Sequence, residues 1–560
     1  MSSTAGTPLI TPQSSSSNDS LEAGISSSLL LLTQSGWTLR GKPNRNPIAL
    51  SLRTSSLNFG DMHVDVEDAA GARANKDGSL SFFYWPYNNS SNIVRVRRVA
   101  IFDHTQASSN STDAALIWAT VLSRWALNLP FERLLTTTTT TTFNGTLSTV
   151  LPLKPLPSRH LRVFINPNAG SGGGERAWAR AVPMLEDAGI IADVIVTKSA
   201  GEARRNVADA LPSSLSSLEG IVVVGGDGSL VEVIDGLMSR SDWAIYTNSL
   251  ILSALPSGSG NGLAVSLCAS AGLSFSPDNS SWAVAKGASD KLDLASVFCK
   301  SEEEGCESSS SLSTSLSESS SISGSSKKII NNNNDDTTKS RRRRWSFLSL
   351  EWALPADLDI ESEYLRCLGG ARFDVYAFCL TLQLRRYRGR FSYVLASPET
   401  ERESTTRESI ASLPELQHLV PFNQTPPSSR HWKATQGIFT FLWATNTSHQ
   451  AVGASTCATT RHDSGTWSVA LMREPSRCSL LSALLTFDMK GSFAQVAGVE
   501  ILNVVAWRLD PEIIEGGGGG NAHGNIAIDG EEMPYGAIQG EVHKKLLRVY
   551  ARPTSTGAKT

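Results

Sequence analysis

Cysteines are few and scattered in this 560-residue chain, and none stands at a spacing that suits a metal ion. The seven cysteines form no Cys-x-x-Cys pair and no cluster with histidine, and their number is odd. Zinc sites and disulfide scaffolds both need closely spaced or paired cysteines. We therefore expect a reduced protein with free thiols and no structural metal.

Long apolar runs and an excess of either charge are also absent. No apolar stretch approaches the roughly 18–20 residues that a membrane-spanning helix needs. The Ser/Thr-rich start lacks the regions of a signal peptide, and Ser2 removes the myristoylation pattern. A net charge of −3 favours no nucleic acid partner. These absences predict a cytoplasmic protein that associates only peripherally with intracellular or plasma membranes.

Composition divides the chain into foldable and low-complexity stretches. Stretches rich in Ser, Thr, Asn or Gly predict disorder, because they contain too few apolar side chains to bury. Disorder is predicted for residues 1–28, for an insertion at 298–344 and for a second insertion at about 398–431; residues 136–158 are predicted to be a linker and 554–560 a tail.

The first foldable stretch, residues 29–135, predicts a β-rich N-terminal extension. Short β-prone pieces at 37–40, 82–85 and 93–96 are separated by polar turns, and an amphipathic helix follows over 114–129. Several strands followed by one helix are compatible with a small pleckstrin-like domain. A frayed β-rich extension would give the same pattern.

The stretch 159–297 alternates apolar strands with helices and predicts a Rossmann-like α/β nucleotide-binding domain. Strands at 161–165, 192–196 and 220–224 are separated by helices at 175–188 and 202–211. This β-α-β-α-β order predicts a parallel sheet wrapped by helices. The last stretch, 345–553, carries short β-prone segments and predicts an antiparallel β-sandwich.

Three glycine-rich loops follow apolar strands of the α/β stretch, at 166–174, 225–228 and 256–261. Glycine lets backbone N–H groups approach an anion, and a following helix N-terminus favours negative charge. Each loop alone could be an ordinary turn. Because the carboxyl ends of parallel strands meet at one edge of a sheet, the three together predict a nucleotide or phosphate site.

These motifs carry a family resemblance. Gly225-Gly226-Asp227-Gly228, with Glu232 five residues after Asp227, resembles the diacylglycerol-kinase-type catalytic domain, a superfamily that also includes NAD kinases. Together with Asn166-Pro167, Thr197, Asn261 and the acidic block 357–363, the sequence is similar to sphingosine kinases in particular. Asp529-Gly530-Glu531 resembles the closing motif of that family. The resemblance covers most of residues 160–550 outside the insertions.

The resemblance implies a two-lobed kinase with its active site in the cleft between the lobes. It would transfer a phosphoryl group from ATP to the primary hydroxyl of a sphingoid long-chain base: sphingosine, dihydrosphingosine or phytosphingosine. Mg²⁺ would be bound through the ATP phosphates, since no direct protein motif for a metal is present. The sequence leaves homodimerisation open.

The resemblance also implies residue roles. Asp227 would be the general base, and Asp359 would hold the amino and hydroxyl head of the base. Arg366 and Arg372 would bind the triphosphate, since guanidinium groups match phosphate oxygens. The substrate site would consist of Gly225, Gly226, Asp227, Gly228 and Asp359. The remaining ATP-binding positions would be Asn166, Pro167, Asn168, Thr197, Lys198, Ser199, Ala200, Gly201, Glu232, Gly258, Ser259, Gly260, Asp529, Gly530 and Glu531.

Other interpretations remain at this point. The acidic block 357–363 could be the solvated start of a helix, and the aromatic residues of 345–352 could be plain core. Among functions, the alternatives are a ceramide or diacylglycerol kinase of the same fold, or a catalytically silent lipid-binding scaffold. Ceramide and diacylglycerol lack the cationic amine that would pair with Asp359.

The first phosphate loop departs from the family. Animal sphingosine kinases carry lysines there, whereas Ser171 and Gly173 occupy those positions in this chain. We hypothesise that Lys198 supplies the missing positive charge.

Overall fold

A computed structural model describes most of the three foldable stretches. The described residues are 30–40, 48–53, 55–88, 93–104, 109–129, 156, 158–170, 172–300, 343–368, 371–396, 413–427, 431–487, 492–512 and 524–552. The predicted disordered terminus, most of the linker, most of the first insertion and the predicted tail lie outside these residues. None of the helices in the described ranges is long and apolar enough to cross a membrane.

The N-terminal stretch forms seven antiparallel strands followed by a helix, α1. The strands lie in the order β4-β3-β2-β1-β7-β6-β5. Their large apolar side chains, such as those of Trp37 and Phe82, pack with Trp118 and Trp125 of α1 into one core. The segment 93–96, predicted as a strand, contributes only an isolated bridge at Arg95. The elements are β1 Leu30–Leu39, β2 Ile48–Arg53, β3 Ser56–Phe59, β4 Met62–Asp65, β5 Ala69–Ala74, β6 Leu80–Tyr84, β7 Arg98–His104 and α1 Ser109–Ala126.

Four parallel strands form the middle of the protein, in the order β9-β8-β10-β11. Side chains of β10 alternate between two cores, with Ile221 and Val223 on one face and Val222 and Val224 on the other. A strand buried on both faces is therefore apolar throughout, as in parallel sheets. The strands are β8 Arg159–Ile165, β9 Ile190–Val196, β10 Gly220–Gly225 and β11 Ile251–Pro256.

Seven helices accompany these strands. The helix predicted over 202–211 ends early, because Pro212 begins a separate short helix. The helices are α2 Gly174–Asp187, α3 Glu202–Ala208, α4 Pro212–Ser216, α5 Asp227–Met238, α6 Trp243–Ser249, α7 Gly262–Ser270 and α8 Pro277–Lys286.

The C-terminal stretch pairs its strands antiparallel and adds three helices. They are β12 Ser289–Cys299, β13 Arg344–Ser346, β14 Ser349–Ala353, α9 Leu354–Glu361, α10 Ala371–Gln383, β15 Tyr387–Leu395, β16 Trp432–Thr445, β17 Trp467–Arg473, α11 Arg477–Leu485, β18 Val499–Pro511, β19 Ile526–Ile528, β20 Glu531–Met533 and β21 Ile538–Tyr550. The final strand, β21, pairs with β12 and β18 and meets β11 in parallel at Val549 and Leu252. The C-terminal strand thus joins the two parts of the chain.

The predicted bounds of both insertions include residues that belong to the folded structure. Arg344 already begins β13, and the Arg343 guanidinium stacks on Phe298 and Trp345. In the second insertion, the prediction of disorder is wrong for residues 413–427. The side chain of Arg508 is almost fully buried and donates hydrogen bonds to three backbone carbonyls of this segment. The Glu541 carboxylate accepts hydrogen bonds from two backbone N–H groups of the same segment. These partners are far away in sequence, so local composition could not reveal them.

The N-terminal strands and α1 dock on α2 and α8 through buried polar contacts. The Asp187 carboxylate accepts hydrogen bonds from the Trp85 indole at 2.9 Å and from the Arg97 guanidinium at 2.6 and 2.8 Å. The Lys286 ammonium donates to three N-terminal carbonyls, and burial lowers the pKa of Lys286 to about 7. The described residues of the N-terminal strands and α1 are therefore held against the α/β part by these contacts.

We expect Asp187→Ala to weaken this docking. The change leaves a buried indole N–H and a guanidinium group without their acceptor, which costs about 1–3 kcal/mol of unfolding free energy. Chemical denaturation followed by tryptophan fluorescence measures the effect. Asp193→Ala, which removes an exposed ion pair with Arg162, is the matched control and should cost less than about 1 kcal/mol. Equal losses in the two variants would contradict the docking interpretation.

Candidate functional site

The second and third glycine loops touch each other through their backbones. A Cβ on Gly258 would lie 2.6 Å from the Gly226 Cα, closer than real side chains allow. The Ser257 N–H donates to the Gly225 carbonyl at 3.1 Å. Asn261 holds the third loop, since its amide group both accepts from and donates to the Gly258 backbone. Glycine is required here by the close approach of two chains.

The first loop joins the same cluster. Gly170 has a φ of +56°, and a Cβ there would collide with the Ser257 carbonyl. The Asn166 N–H donates to the Val224 carbonyl at 3.0 Å, and its side-chain amide lies 3.3 Å from the Ser229 hydroxyl. All three loops therefore lie at the carboxyl edge of the parallel strands, where the sequence predicted them. Pro167 and Asn168 lie in the first loop, and Ser171 lies outside the described residues.

The loop of residues 197–201 is held beside this cluster. The Thr197 N–H and hydroxyl donate to the Ile165 carbonyl, and the Gly201 N–H donates to Glu232 at 2.8 Å. Glu232 thus positions this loop through a hydrogen bond. Lys198 is exposed, with Ser199 and Ala200 beside it.

Asp227 begins helix α5, and its carboxylate meets the N-terminus of helix α7. It accepts hydrogen bonds from the N–H groups of Gly262 at 2.8 Å and Leu263 at 3.3 Å. The residue is only 7% exposed, and burial raises the pKa of its carboxyl group, while the two N–H groups oppose that rise. A carboxylate held in this way lies between the glycine loops with a fixed orientation and a raised proton affinity.

The acidic block divides between two surroundings. Asp357 and Glu361 accept hydrogen bonds from Asn525 and form ion pairs with Arg385, and Tyr387 donates to Asp357 at 2.6 Å. Burial raises the pKa of Asp357 to about 6. These two carboxylates are satisfied within the protein, so they fix helix α9 in place.

Asp359 lies on the same helix but faces the closing motif. A Cβ on Gly530 would lie 3.4 Å from the Asp359 carboxylate, and one on Gly228 would lie 3.5 Å from the Glu531 carboxylate. The turn 529–531 therefore stands between Asp359 and the loop that carries Asp227. Burial raises the pKa of Asp359 to about 6, while the charge of Arg372 lowers it.

The Asp529 carboxylate is occupied by the protein itself. It accepts hydrogen bonds from the Ser346 hydroxyl and from the N–H groups of Phe347, Leu348 and Ser349, at 2.6–3.0 Å. Asp529 was expected to line the nucleotide pocket. In the structure its carboxylate fixes the turn before β14, and Gly530 and Glu531 are the residues left facing the site.

Of the two arginines predicted to bind phosphate, Arg372 is paired with a carboxylate of the protein. Arg372 is 3% exposed, and its guanidinium donates to Glu363 at 2.6 Å. It would have to leave or share Glu363 in order to bind phosphate. The side chain of Arg366 lies outside the described residues.

Glu351 is a site residue to which the sequence reasoning gave no role. It is 5% exposed, it lies on β14 within reach of the charges of Asp359 and Asp529, and the Ser349 hydroxyl donates to it at 3.0 Å. Burial raises its pKa well above the usual range, and the neighbouring carboxylates add to that rise. The sequence feature that could have indicated a role for Glu351 is its position as a single acid within the mostly apolar segment 347–354.

Among the described residues, the protein builds no metal site at this cluster, and a cavity lies away from it. Within the described ranges, no group of three His, Cys, Asp or Glu side chains could hold a metal ion. A cavity of about 570 Å³ lies elsewhere, against β8, β9 and α3, and is lined by residues such as Arg162, Ile195 and Arg205. We assign the site from the converging loops, because the lining residues of that cavity include no glycine of these loops.

Comparison with known proteins gives a consistent result. Residues 160–297 match the family described as diacylglycerol kinase catalytic domain. The chain is 30% identical to sphingosine kinase 1 of Homo sapiens over 399 residues, covering 70% of this chain and 90% of the relative. It is 29% identical to sphingosine kinase 1 of Arabidopsis thaliana over 398 residues, covering 70% and 72%.

More distant relatives match as well. Ceramide kinase of Homo sapiens is 26% identical over 451 residues, covering 71% of this chain and 75% of the relative. Among solved structures, a putative diacylglycerol kinase from Bacillus anthracis str. Sterne matches with a TM-score of 0.43 at 13% identity, covering 71% of this chain and 96% of the other.

We expect Gly258→Ala to reduce the affinity for ATP–Mg²⁺ by about tenfold or more. The new methyl group would push the second and third loops apart, and overpacking of this kind costs about 1–3 kcal/mol. Isothermal titration calorimetry measures the affinity, and circular dichroism reports the fold. Gly536→Ala is the matched control, because Gly536 lies outside the three loops and nothing lies within 4 Å of a Cβ at that position. Unchanged affinity in Gly258→Ala would show that the loop contact does not form the nucleotide site.

Proposed function

This chain belongs to the sphingosine kinase family and is a lipid kinase, and from that premise we propose that it phosphorylates the primary hydroxyl of sphingoid long-chain bases. The observation that carries the proposal is the position of two carboxylates, one buried (Asp227) and one half-buried (Asp359). Asp227 lies among the glycine loops, and Asp359 lies across the turn 529–531 from the Gly228 end of the same loop. Asp227 would accept the proton of the lipid hydroxyl, and Asp359 would bind the ammonium group of the same lipid.

ATP would bind along the three glycine loops. Their backbone N–H groups and the helix N-termini that follow them suit phosphate oxygens. Mg²⁺ bound to the phosphates would neutralise the charge that develops during transfer. The protein's own contribution is a rigid edge of glycine backbone that lets the phosphates come close.

Asp227 would act as the general base. Its carboxylate would take the proton of the lipid's primary hydroxyl, whose oxygen then attacks the γ-phosphorus while ADP leaves. Burial makes the carboxylate a stronger base, and the N–H groups of Gly262 and Leu263 keep it from turning away. Phosphoryl transfer needs this positioning more than covalent chemistry.

Asp359 would hold the ammonium group of the base. A half-buried carboxylate whose pKa is raised to about 6 by partial desolvation gains from a cation, because pairing offsets the cost of desolvating its charge. Ceramide and diacylglycerol carry no such cation. The similarity to ceramide kinase keeps ceramide as the second candidate substrate, and the assay below separates the two.

The hydrocarbon tail would enter an apolar layer next to Asp359, which we call the tail layer. It lies between one face of β16 and β17 and the helices α9, α10 and α11. Its buried members include Leu354, Tyr376, Leu380, Phe441, Trp443, Met472, Leu480 and Phe493. The aromatic rings of Phe441, Phe487 and Phe493 pack together there, with centroids 5.3–6.2 Å apart.

We expect Asp227→Asn to lower lipid phosphorylation by about 10²–10⁴-fold, because the amide cannot accept the proton. The measurement is transfer of labelled γ-phosphate from ATP–Mg²⁺ to sphingosine, dihydrosphingosine, phytosphingosine, ceramide and diacylglycerol. Asp242→Asn is the control. Asp242 lies beyond the C-terminal end of α5, and this 12-residue helix, which begins at Asp227, is about 18 Å long.

The lipid panel decides between the candidates. Label on the sphingoid bases alone supports the proposal. Label on ceramide or diacylglycerol instead removes Asp359 from its proposed role. If a folded protein that binds ATP labels none of the five lipids, the catalytically silent scaffold becomes the better interpretation.

We further propose that helix α10 contacts the membrane in which the substrate resides. One side of this helix is buried through Arg372, Tyr376 and Leu380, whereas Val375, Phe378 and Leu382 are 48–56% exposed. Leu485, 68% exposed, is on helix α11, which packs on α10. Exposed apolar side chains in a row are typical of an interaction surface. This surface covers the tail layer, so a lipid could pass from bilayer to site without crossing water.

We expect the double change Phe378→Ser and Leu382→Ser to reduce binding to phosphatidylcholine vesicles by about tenfold, since each side chain loses roughly 1.5–3 kcal/mol of apolar burial at most. Vesicle flotation measures the bound fraction. Leu211→Ser is the control, because Leu211 is 70% exposed but lies between α3 and α4. Vesicle binding that is equal in both variants would argue against α10 as the contact.

A further inference from the structure

We infer that Glu351 is a specificity-determining residue that selects, among sphingoid bases, those with a third hydroxyl group on the carbon after the C3 hydroxyl. The inference rests on the function proposed above and deepens it. It follows from where β14 places Glu351, from the groups that surround it, and from the order of polar groups along the substrate.

Strand β14 directs Glu351 toward the tail layer. Side chains alternate along a strand, and Leu350 and Trp352 pack into the core on one face. Glu351 lies on the other face, directly opposite Trp443 in the pairing of β14 with β16. Trp443 belongs to the tail layer. An acid therefore stands at the end of a layer that is otherwise built for hydrocarbon.

Among the described residues, the groups that act most strongly on Glu351 include no cation. The groups that act on its protonation are burial, the carboxylates of Asp359 and Asp529, the Ser349 hydroxyl and the Trp443 indole. The Trp443 indole N–H is buried and faces the Glu351 carboxyl group, but no hydrogen bond of ordinary geometry joins the two. Polar groups left in this state cost free energy. A ligand hydroxyl can accept from the indole and hydrogen-bond with the carboxyl group.

The neighbouring Asp359 decides what kind of ligand group fits. Two close carboxyl groups in a buried site do not both ionise, so one proton stays on the pair. An ammonium at Asp359 matches the single negative charge. Glu351 then presents a neutral carboxyl group, which pairs with a hydroxyl rather than with a second cation.

The order of groups along the substrate places that hydroxyl. The primary hydroxyl lies at Asp227, and the amine and the next hydroxyl lie at Asp359. Glu351 comes next, where the headgroup meets the tail layer. Phytosphingosine has a hydroxyl at this carbon, whereas dihydrosphingosine has only a CH₂ there. A site built to hydrogen-bond a hydroxyl discriminates strongly against the analogue that lacks it.

The test compares kcat/KM for phytosphingosine and dihydrosphingosine in the full-length protein. We expect the wild type to prefer phytosphingosine by about tenfold or more. Glu351→Leu should lower this ratio to about 1, because it removes the polar partner while keeping an apolar side chain of similar size. Glu351→Gln keeps hydrogen-bonding groups and should keep most of the preference. If Glu351→Leu does not fold, Glu351→Ala takes its place.

Asp357→Asn is the matched control, since it changes a buried carboxyl group on α9 that faces Arg385 and Tyr387. It should leave the substrate ratio as in the wild type. A ratio that is the same in the wild type, Glu351→Gln and Glu351→Leu would overturn the inference and leave the proposed function intact. Failure of the wild type to phosphorylate either base would overturn both.

Discussion

The contact between the backbones of Gly226 and Gly258 is the constraint on which the site depends. It holds because neither position has a side chain, and it brings the ends of β10 and β11 to within backbone distance. As a result, the first turn of α5 faces the first turn of α7, and the Asp227 carboxylate reaches the N–H groups of that helix. The backbone edge proposed to bind phosphate and the fixed carboxylate of Asp227 thus arise from a single packing requirement.

The acids around this contact are compensated in different ways, and the difference agrees with the division we propose between structural and substrate-facing groups. Asp529 has four donors, and Asp357 has an ion pair and two hydrogen bonds. Asp227 has two backbone donors. By contrast, the strongest influences on Glu351 among the described residues include no cation, and Asp359 is stabilised chiefly by the charge of Arg372. Because burying a carboxyl group without partners is costly, the least compensated pair is where a cationic, hydroxylated headgroup has most to contribute.

The features that could be predicted from sequence are those with local causes. Apolar runs ending in glycine predicted the parallel strands and their three loops, because strand burial and turn geometry depend on neighbouring residues. The division of the acidic block could not be predicted in this way: Asp357 and Asp359 are two residues apart, yet Tyr387 and Asn525 satisfy one of them and the Gly530 turn faces the other. The ordering of residues 413–427 likewise depends on Arg508 and Glu541, which lie about 80–130 residues away along the chain.

The docked N-terminal strands are connected to the candidate site through α8, β12 and β21. Lys286 ends α8 and donates to carbonyls of the N-terminal part, and three residues later β12 begins. Strand β12 pairs along nearly its whole length with β21, which also meets β11 and β18. A displacement of the N-terminal part would therefore disturb the pairing of β12 with β21. This strand pair joins the α/β part, which carries Asp227, to the C-terminal part, which carries Asp359. In the proposed mechanism these two carboxylates act on one substrate molecule, so the polar contacts of Asp187 and Lys286 would help to maintain the geometry of that site from a distance.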